Sequence, residues 1–83
     1  MRERGALMNP YQPAPLTSFK DGANILLDVI GGEAAHRLRD LGLREGALVA
    51  IVQNTDNLIV RVAGCRIGLR RELAMHILGT PVA

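Results

Sequence analysis

Between Ala23 and Ile30 the chain reads ANILLDVI, with Ile25, Leu27 and Val29 at alternate positions and Asp28 on the opposite face. That two-residue period predicts a strand with one face turned to a core. Gly31 and Gly32 end it. From Glu33 to Leu41 the period lengthens. At about 100° per residue, Ala34, Leu38 and Leu41 share one narrow face, so a short helix is predicted. The stretch RLRDLGLREG at 37–46 then sets Gly42 just beyond Leu41, where left-handed backbone is usual and glycine has no Cβ to obstruct it. Leu43 is expected to fold back on Leu38, and Arg44-Glu45-Gly46 to make a second turn. Two glycines thus convert a helix into a strand.

From Ala47 onward the pattern is β. Leu48, Ala50 and Val52 alternate with Val49, Ile51 and Gln53, which predicts a strand buried on both faces. Asn54-Thr55-Asp56-Asn57 is read as a polar hairpin loop. Leu58, Val60 and Val62 alternate with Ile59 and Arg61, Gly64-Cys65 suits a two-residue turn, and CRIGLR returns with Ile67 and Leu69 inward. Arg71 to Ala74 is predicted as one helical turn, Met75 to Leu78 as a last short strand, and Gly79 and Pro81 as the close of the domain. A small, closed, five-stranded barrel with one short helix after its first strand accounts for this series.

The N-terminal residues have no such period. Pro10, Pro13 and Pro15 remove backbone donors, so residues 1–15 are predicted to be a disordered tail and 16–83 the barrel domain. Met8 is an alternative start to Met1. Arg2 and Arg4 resemble the opening of a signal peptide, but no apolar run follows them. The longest apolar stretch, Ala47 to Val52, falls far short of the roughly 20 residues of a membrane span, which predicts a soluble chain.

Composition sharpens this picture in three places. With 83 residues and only one Tyr, one Phe and no Trp, the core must be aliphatic and small. The single Cys65 cannot form an internal disulfide, in keeping with a reducing cytosol. Nine of the ten basic residues are Arg, a residue suited to bidentate pairing with carboxylates and phosphates, although a genome favouring Arg codons is the simpler account. A net charge of +2 is too weak to argue for nucleic-acid binding, and the two aromatics, Tyr11 and Phe19, precede the barrel strands and offer no stacking platform.

Catalytic machinery is not evident. Ser18 is the only Ser and has no His in local register, no phosphate-binding P-loop follows Gly31-Gly32, and Cys65 beside Arg66 reads as an exposed thiol on a hairpin tip. One constellation does carry chemistry: Glu33, His36 and Asp40 at i, i+3 and i+7. With Glu33 at 0°, the other two fall within about 60° of it on a helical wheel, a half-site for a divalent transition metal. An ordinary solvated helix face is the competing reading. Water, His76, Cys65 or a second subunit would have to complete the coordination. His76 and Met75 are themselves read as the rim and edge of the core. Arg37, Arg39, Arg44, Arg70 and Arg71 form two basic groups that could receive an acidic partner surface or pair with Glu33, Asp40, Glu45 and Glu72.

Three stretches together resemble the FeoA family, the ferrous iron transport A proteins: the Leu16-x-x-Phe19-Lys20-x-Gly22 opening, RLRDLGLREG at 37–46, and VRVAGCRIGLRRELAMHI at 60–77. The resemblance covers Leu16 to Leu78. It implies an SH3-like β-barrel and a cytosolic accessory role in bacterial ferrous iron uptake, docking on the permease FeoB. Related domains close iron-dependent transcription repressors, so the resemblance favours recognition over enzymatic activity. Cys65 departs from the pattern, standing where the family often has an aromatic. Two functions are therefore expected: docking on the permease with no cofactor required, or a metal-responsive domain in which Fe2+ or a similar ion drives association or homodimerisation.

Overall fold

Six antiparallel strands form one sheet in a computed structural model that describes residues 12–82. In chain order the elements are β1 (Ala14–Pro15), a 3-10 turn (Leu16–Ser18), β2 (Asn24–Ile30), α1 (Ala35–Asp40), β3 (Leu48–Asn54), β4 (Asn57–Val62), β5 (Cys65–Arg70), α2 (Arg71–Ala74) and β6 (Ile77–Val82). The sheet order is β1-β6-β2-β3-β4-β5, so β1 and β5 are its two edges and are not bonded to each other. The mainly β architecture is as expected, with two differences: there are six strands rather than five, and the sheet does not close.

The extra strand comes from inside the segment read as a tail. Ala14 pairs with Gly79 and Pro15 with Leu78. Proline is tolerated there because β1 is an edge, where a missing N–H breaks no ladder on the outer side. Pro10 and the rest of residues 1–11 lie outside the described residues.

The core is aliphatic and single. Leu16, Ile25, Leu27, Ile30, Leu38, Leu43, Val49, Ile51, Leu58, Val60, Val62, Leu69, Ala74 and Ile77 form one buried cluster, with Phe19 and Ile67 packed against it. No polar or charged residue is buried among the described residues. Burial of this apolar surface is the main force holding the sheet in its curl.

Two bulges alter which residues point inward. The pairing of β2 with β6 shifts between Leu27 and Val29, so Asp28 occupies an extra position and the alternation reverses. Val29 is therefore 45% exposed and Ile30 is buried, contrary to the simple two-residue period. In β3 the pairing shifts between Ile51 and Gln53. Strand β3 is buried on one face only: Val49 and Ile51 point inward while Leu48 is exposed. The fully buried strand expected from ALVAIVQ is thus half-buried, because none of the described residues covers the outer face at Leu48.

The helix stop forms as the glycine spacing requires. Gly42 has a φ of +99°, its N–H donates to Arg39 O at 3.0 Å, and the Leu43 N–H donates to Leu38 O at 2.9 Å. These paired bonds are the Schellman termination, and Leu38 and Leu43 both enter the core cluster. Leu41, however, is 52% exposed and lies outside the buried face. The second turn follows, with Ala47 N–H donating to Arg44 O across Gly46 at a φ of +89°.

Three boundaries move beyond α1. The polar loop narrows to Thr55-Asp56, because Asn54 ends β3 and Asn57 begins β4. The β4–β5 turn is Ala63-Gly64 rather than Gly64-Cys65, with Val62 opposite Cys65. The last strand begins at Ile77, two residues later than expected, and runs through Gly79 and Pro81 to Val82. Gly79 does not close the domain; it is buried in mid-strand. A Cβ there would overlap Ile25 Cγ2 and lie 2.9 Å from Leu26 O. We expect Gly79→Ala to destabilise the fold by about 1–3 kcal/mol in urea unfolding, the usual range for overpacking. The same change at Gly68, where an added Cβ meets nothing within 4 Å, should be close to neutral.

Candidate functional site

The local structure around α1 decides where the predicted ligands lie. Gly31 donates its N–H to His76 O at 2.8 Å, and Gly32 turns with a φ of +89°. Ala35 N–H then donates to Gly32 O at 3.3 Å, and the first helical bond, from Leu38 N–H to Ala34 O, is 2.9 Å. The helix therefore starts after Ala34, with no side-chain cap. Glu33 stands in the preceding turn, outside the helical wheel that aligned it with His36 and Asp40.

The three predicted metal residues are accordingly divided. His36 Nε2 lies 3.9 Å from Asp40 Oδ2 on an exposed face of α1, and both line a shallow depression with Arg39, Arg44 and Glu45. Glu33 lines a different depression of about 680 Å³, with Gly31, Gly32, Ala34, Arg37, Glu72, Leu73 and His76. Among the described residues no three His, Cys, Asp or Glu side chains converge so as to hold a metal ion. His76 serves the fold: its carbonyl accepts from Gly31, and its ring meets the space a Cβ on Gly32 would need, at 3.4 Å. Met75 is 56% exposed rather than at the edge of the core. Cys65 is an exposed free thiol.

The five arginines also fall into separate settings. Arg39 grips Glu45 with a bidentate fork, Nη2 to Oε2 at 3.0 Å and Nε to Oε1 at 3.4 Å. Its Nη2 also reaches Ile30 O at 3.5 Å, and Arg44 Nη2 donates to Arg39 O at 3.4 Å. These two residues fasten the end of α1. Arg71 Nη1 donates to Asn54 Oδ1 at 2.6 Å and to Thr55 O at 2.8 Å, fastening the start of α2 to the β3–β4 turn. Arg37 and Arg70 remain, together lining a groove with Glu72 and Leu73 that adjoins the larger depression through Arg37. Neither forms an ion pair or a side-chain hydrogen bond among the described residues.

Asn54 is a residue the sequence pattern did not single out. Its Nδ2 donates to Thr17 O at 3.1 Å and Phe19 O at 2.6 Å, and its own N–H donates to Asp21 Oδ1 at 2.8 Å. With Arg71 on its Oδ1, it joins the 3-10 turn, β3 and α2. The polar loop read at 54–57 contained the residue but gave no sign of partners more than thirty positions away.

Fold and surface together define a small SH3-like β-module whose Arg39, Glu45, Asn54 and Arg71 side chains hold its own turns. The chain belongs to the FeoA family: the FeoA domain matches residues 14–81. Among solved structures, a FeoA protein from Chlorobium tepidum is 28% identical, with a TM-score of 0.74 over 83% of this chain and 70% of that one. The zinc complex of Stenotrophomonas maltophilia FeoA, described as a prokaryotic SH3 domain protein, is 24% identical, with a TM-score of 0.71 over 84% of this chain and 90% of that one. T. acidophilum IdeR is 25% identical, with a TM-score of 0.79 over 89% of this chain but only 36% of its own. None of the curated proteins compared matches this sequence. Among the described residues no helix is long and apolar enough to cross a membrane.

The Arg39–Glu45 pair gives a pH signature. The hydrogen bonds from the Arg39 guanidinium, aided by Glu45's own backbone N–H, lower the Glu45 carboxyl from its ordinary 4.5 to about 2, and the same contact raises Arg39. Because the folded value lies below the unfolded one, the pair's contribution is complete above about 4.5 and is lost as pH falls through about 2. Both side chains are nearly half exposed, so solvent screening keeps the effect small. Glu45→Gln should flatten the fall in Tm across that window and leave Tm almost unchanged at low pH, as read by thermal unfolding at a series of pH values.

Proposed function

We propose that this chain is a cytosolic accessory protein of bacterial ferrous iron uptake that docks on the cytosolic part of the FeoB permease and modulates transport without chemistry of its own. Membership of the FeoA family over 14–81 supports the link to iron uptake. The observation that supports the docking is the groove with Arg37 and Arg70 on its walls, the two predicted contact arginines that form neither an ion pair nor a side-chain hydrogen bond among the described residues. Arg39, Arg44 and Arg71 are engaged within the fold and are less available. Two unspent guanidinium groups beside a groove suit an acidic surface, where charge complementarity sets on-rate and orientation.

The full chain should co-purify with the permease's cytosolic part in metal-free buffer. Reversing both charges, Arg37→Glu with Arg70→Glu, should weaken that association by about tenfold, and added salt should weaken the wild type in the same direction. Undiminished binding by the double variant would remove the groove from the interface.

A metal-responsive function is the second reading, favoured by two observations. The S. maltophilia relative is complexed with zinc, and His36 and Asp40 here lie close enough to share one ion. Two exposed ligands leave most of a coordination sphere to water or to a second copy, so an ion there would bridge molecules rather than build a closed site. His36→Ala should lower the affinity for Fe2+ or Zn2+ measured by calorimetric titration. Superimposable curves for variant and wild type would end this reading.

A further inference from the structure

Strand β5 carries an unused edge. The turn residues Ala63 and Gly64 both have positive φ, 52° and 82°, the form of a two-residue hairpin turn that makes Val62 and Cys65 a hydrogen-bonded pair. In antiparallel strands bonded and unbonded pairs alternate, so Arg66, Gly68 and Arg70 occupy unbonded positions opposite Arg61, Ile59 and Asn57. Residues in such positions turn their backbone groups away from the partner strand. Arg66 and Gly68 therefore present both N–H and C=O to the free edge, and Arg70 presents its N–H. Among the described residues nothing pairs on that side, because β5 is last in the strand order. All three residues are exposed, and the space above Gly68 is open.

The charge on this edge is unbalanced. Arg61 and Arg66 stand directly opposite in an unbonded pair, the arrangement that brings side chains closest, and like charges so placed cost stability. Arg70 adds a third cation two positions beyond Gly68. Among the described residues no carboxylate forms an ion pair with any of the three. A second copy of the chain is a poor occupant: two β5 edges paired antiparallel about Gly68 would set Arg66 of each copy against Arg70 of the other.

We propose that the β5 edge binds an acidic, extended segment of a partner protein by strand addition. The segment would carry acidic residues four positions apart, opposite Arg66 and Arg70, and a bulky side chain midway, covering Gly68. Backbone bonds to the edge supply affinity, and the alternate side chains supply selectivity. An aromatic side chain across from an edge glycine fills the missing contact area. The inference rests on reading the chain as a recognition module, but not on the permease being its partner.

The test uses the full chain and a labelled, end-capped peptide, Thr-Glu-Val-Tyr-Val-Glu-Thr, followed by fluorescence anisotropy and by amide hydrogen exchange. Saturable binding with slowed exchange at Arg66, Gly68 and Arg70 is expected. A peptide of the same composition with its two Glu residues adjacent should bind about tenfold more weakly. Arg66→Glu should lose about tenfold for the first peptide and gain for one with Lys in place of Glu, and that gain also shows that the variant folds. Gly68→Pro removes an edge N–H without changing charge and should weaken binding too. Absence of saturable binding, equal binding of the rearranged peptide, or protection mapping to α1 instead would overturn the proposal. So would equal binding of a single-stranded oligonucleotide of matching charge, because the edge would then be reading charge alone. If Arg66→Glu still co-purifies with the permease part, strand addition is not the docking mode there, while the docking itself stands. If the wild type binds the peptide but not the permease part, the docking falls and the edge site stands.

Discussion

The reversal of the chain at Gly42 is the constraint on which the other elements depend. A left-handed residue at that point lets Leu43 turn back and donate to Leu38 O, so that two leucines from either side of the turn enter one core. A side chain with a Cβ would meet a cost of about 1–2 kcal/mol in that backbone region. The reversal also delivers the chain to Gly46 and Ala47, whose backbone bonds to Leu27 start the pairing of β2 with β3. Without the reversal, α1 would have no fixed end and β3 no fixed register.

A small aliphatic core leaves little room for error elsewhere. Its members are Leu, Ile, Val and Ala, which pack without polar handles, so turn geometry and side-chain hydrogen bonds must supply the orientation. Three polar devices do this. Arg39 with Glu45 fastens the end of α1, Asn54 with Arg71 fastens the 3-10 turn to α2, and Thr80 Oγ1 donates to Asp28 Oδ2 at 2.6 Å beside the bulge in β2. Each consumes a charged or polar group that sequence inspection alone could assign to binding. The consequence for function is that Arg39, Arg44 and Arg71 are engaged within the fold, whereas among the described residues Arg37, Arg61, Arg66 and Arg70 form no ion pair or side-chain hydrogen bond.

The divided fate of Glu33, His36 and Asp40 shows how a local pattern fails. A helical wheel assumes that all three residues are helical, yet Gly31 and Gly32 are held against His76 and delay the helix until after Ala34. The turn sends Glu33 toward α2, while His36 and Asp40 face solvent on the other flank. Which of the basic residues are engaged within the fold likewise depended on partners far away in the chain, as Arg71 with Asn54 shows.

Local signals were sufficient for much of this protein. The two-residue period in β4 and β5, the glycine after Leu41 and the single turn at Arg71–Ala74 all follow from neighbours within a few residues, and these appear as the sequence implied. The family motifs made the SH3-like class legible for the same reason, being short and in order. Tertiary structure alone decided the rest: the bulges at Asp28 and Val52, the pairing of Ala14–Pro15 with β6, the burial of Gly79 against Ile25, and the exposed outer face of β3. A one-residue shift in pairing reverses every inward and outward position beyond it, and that shift is set by the strand across the sheet, not by the strand itself.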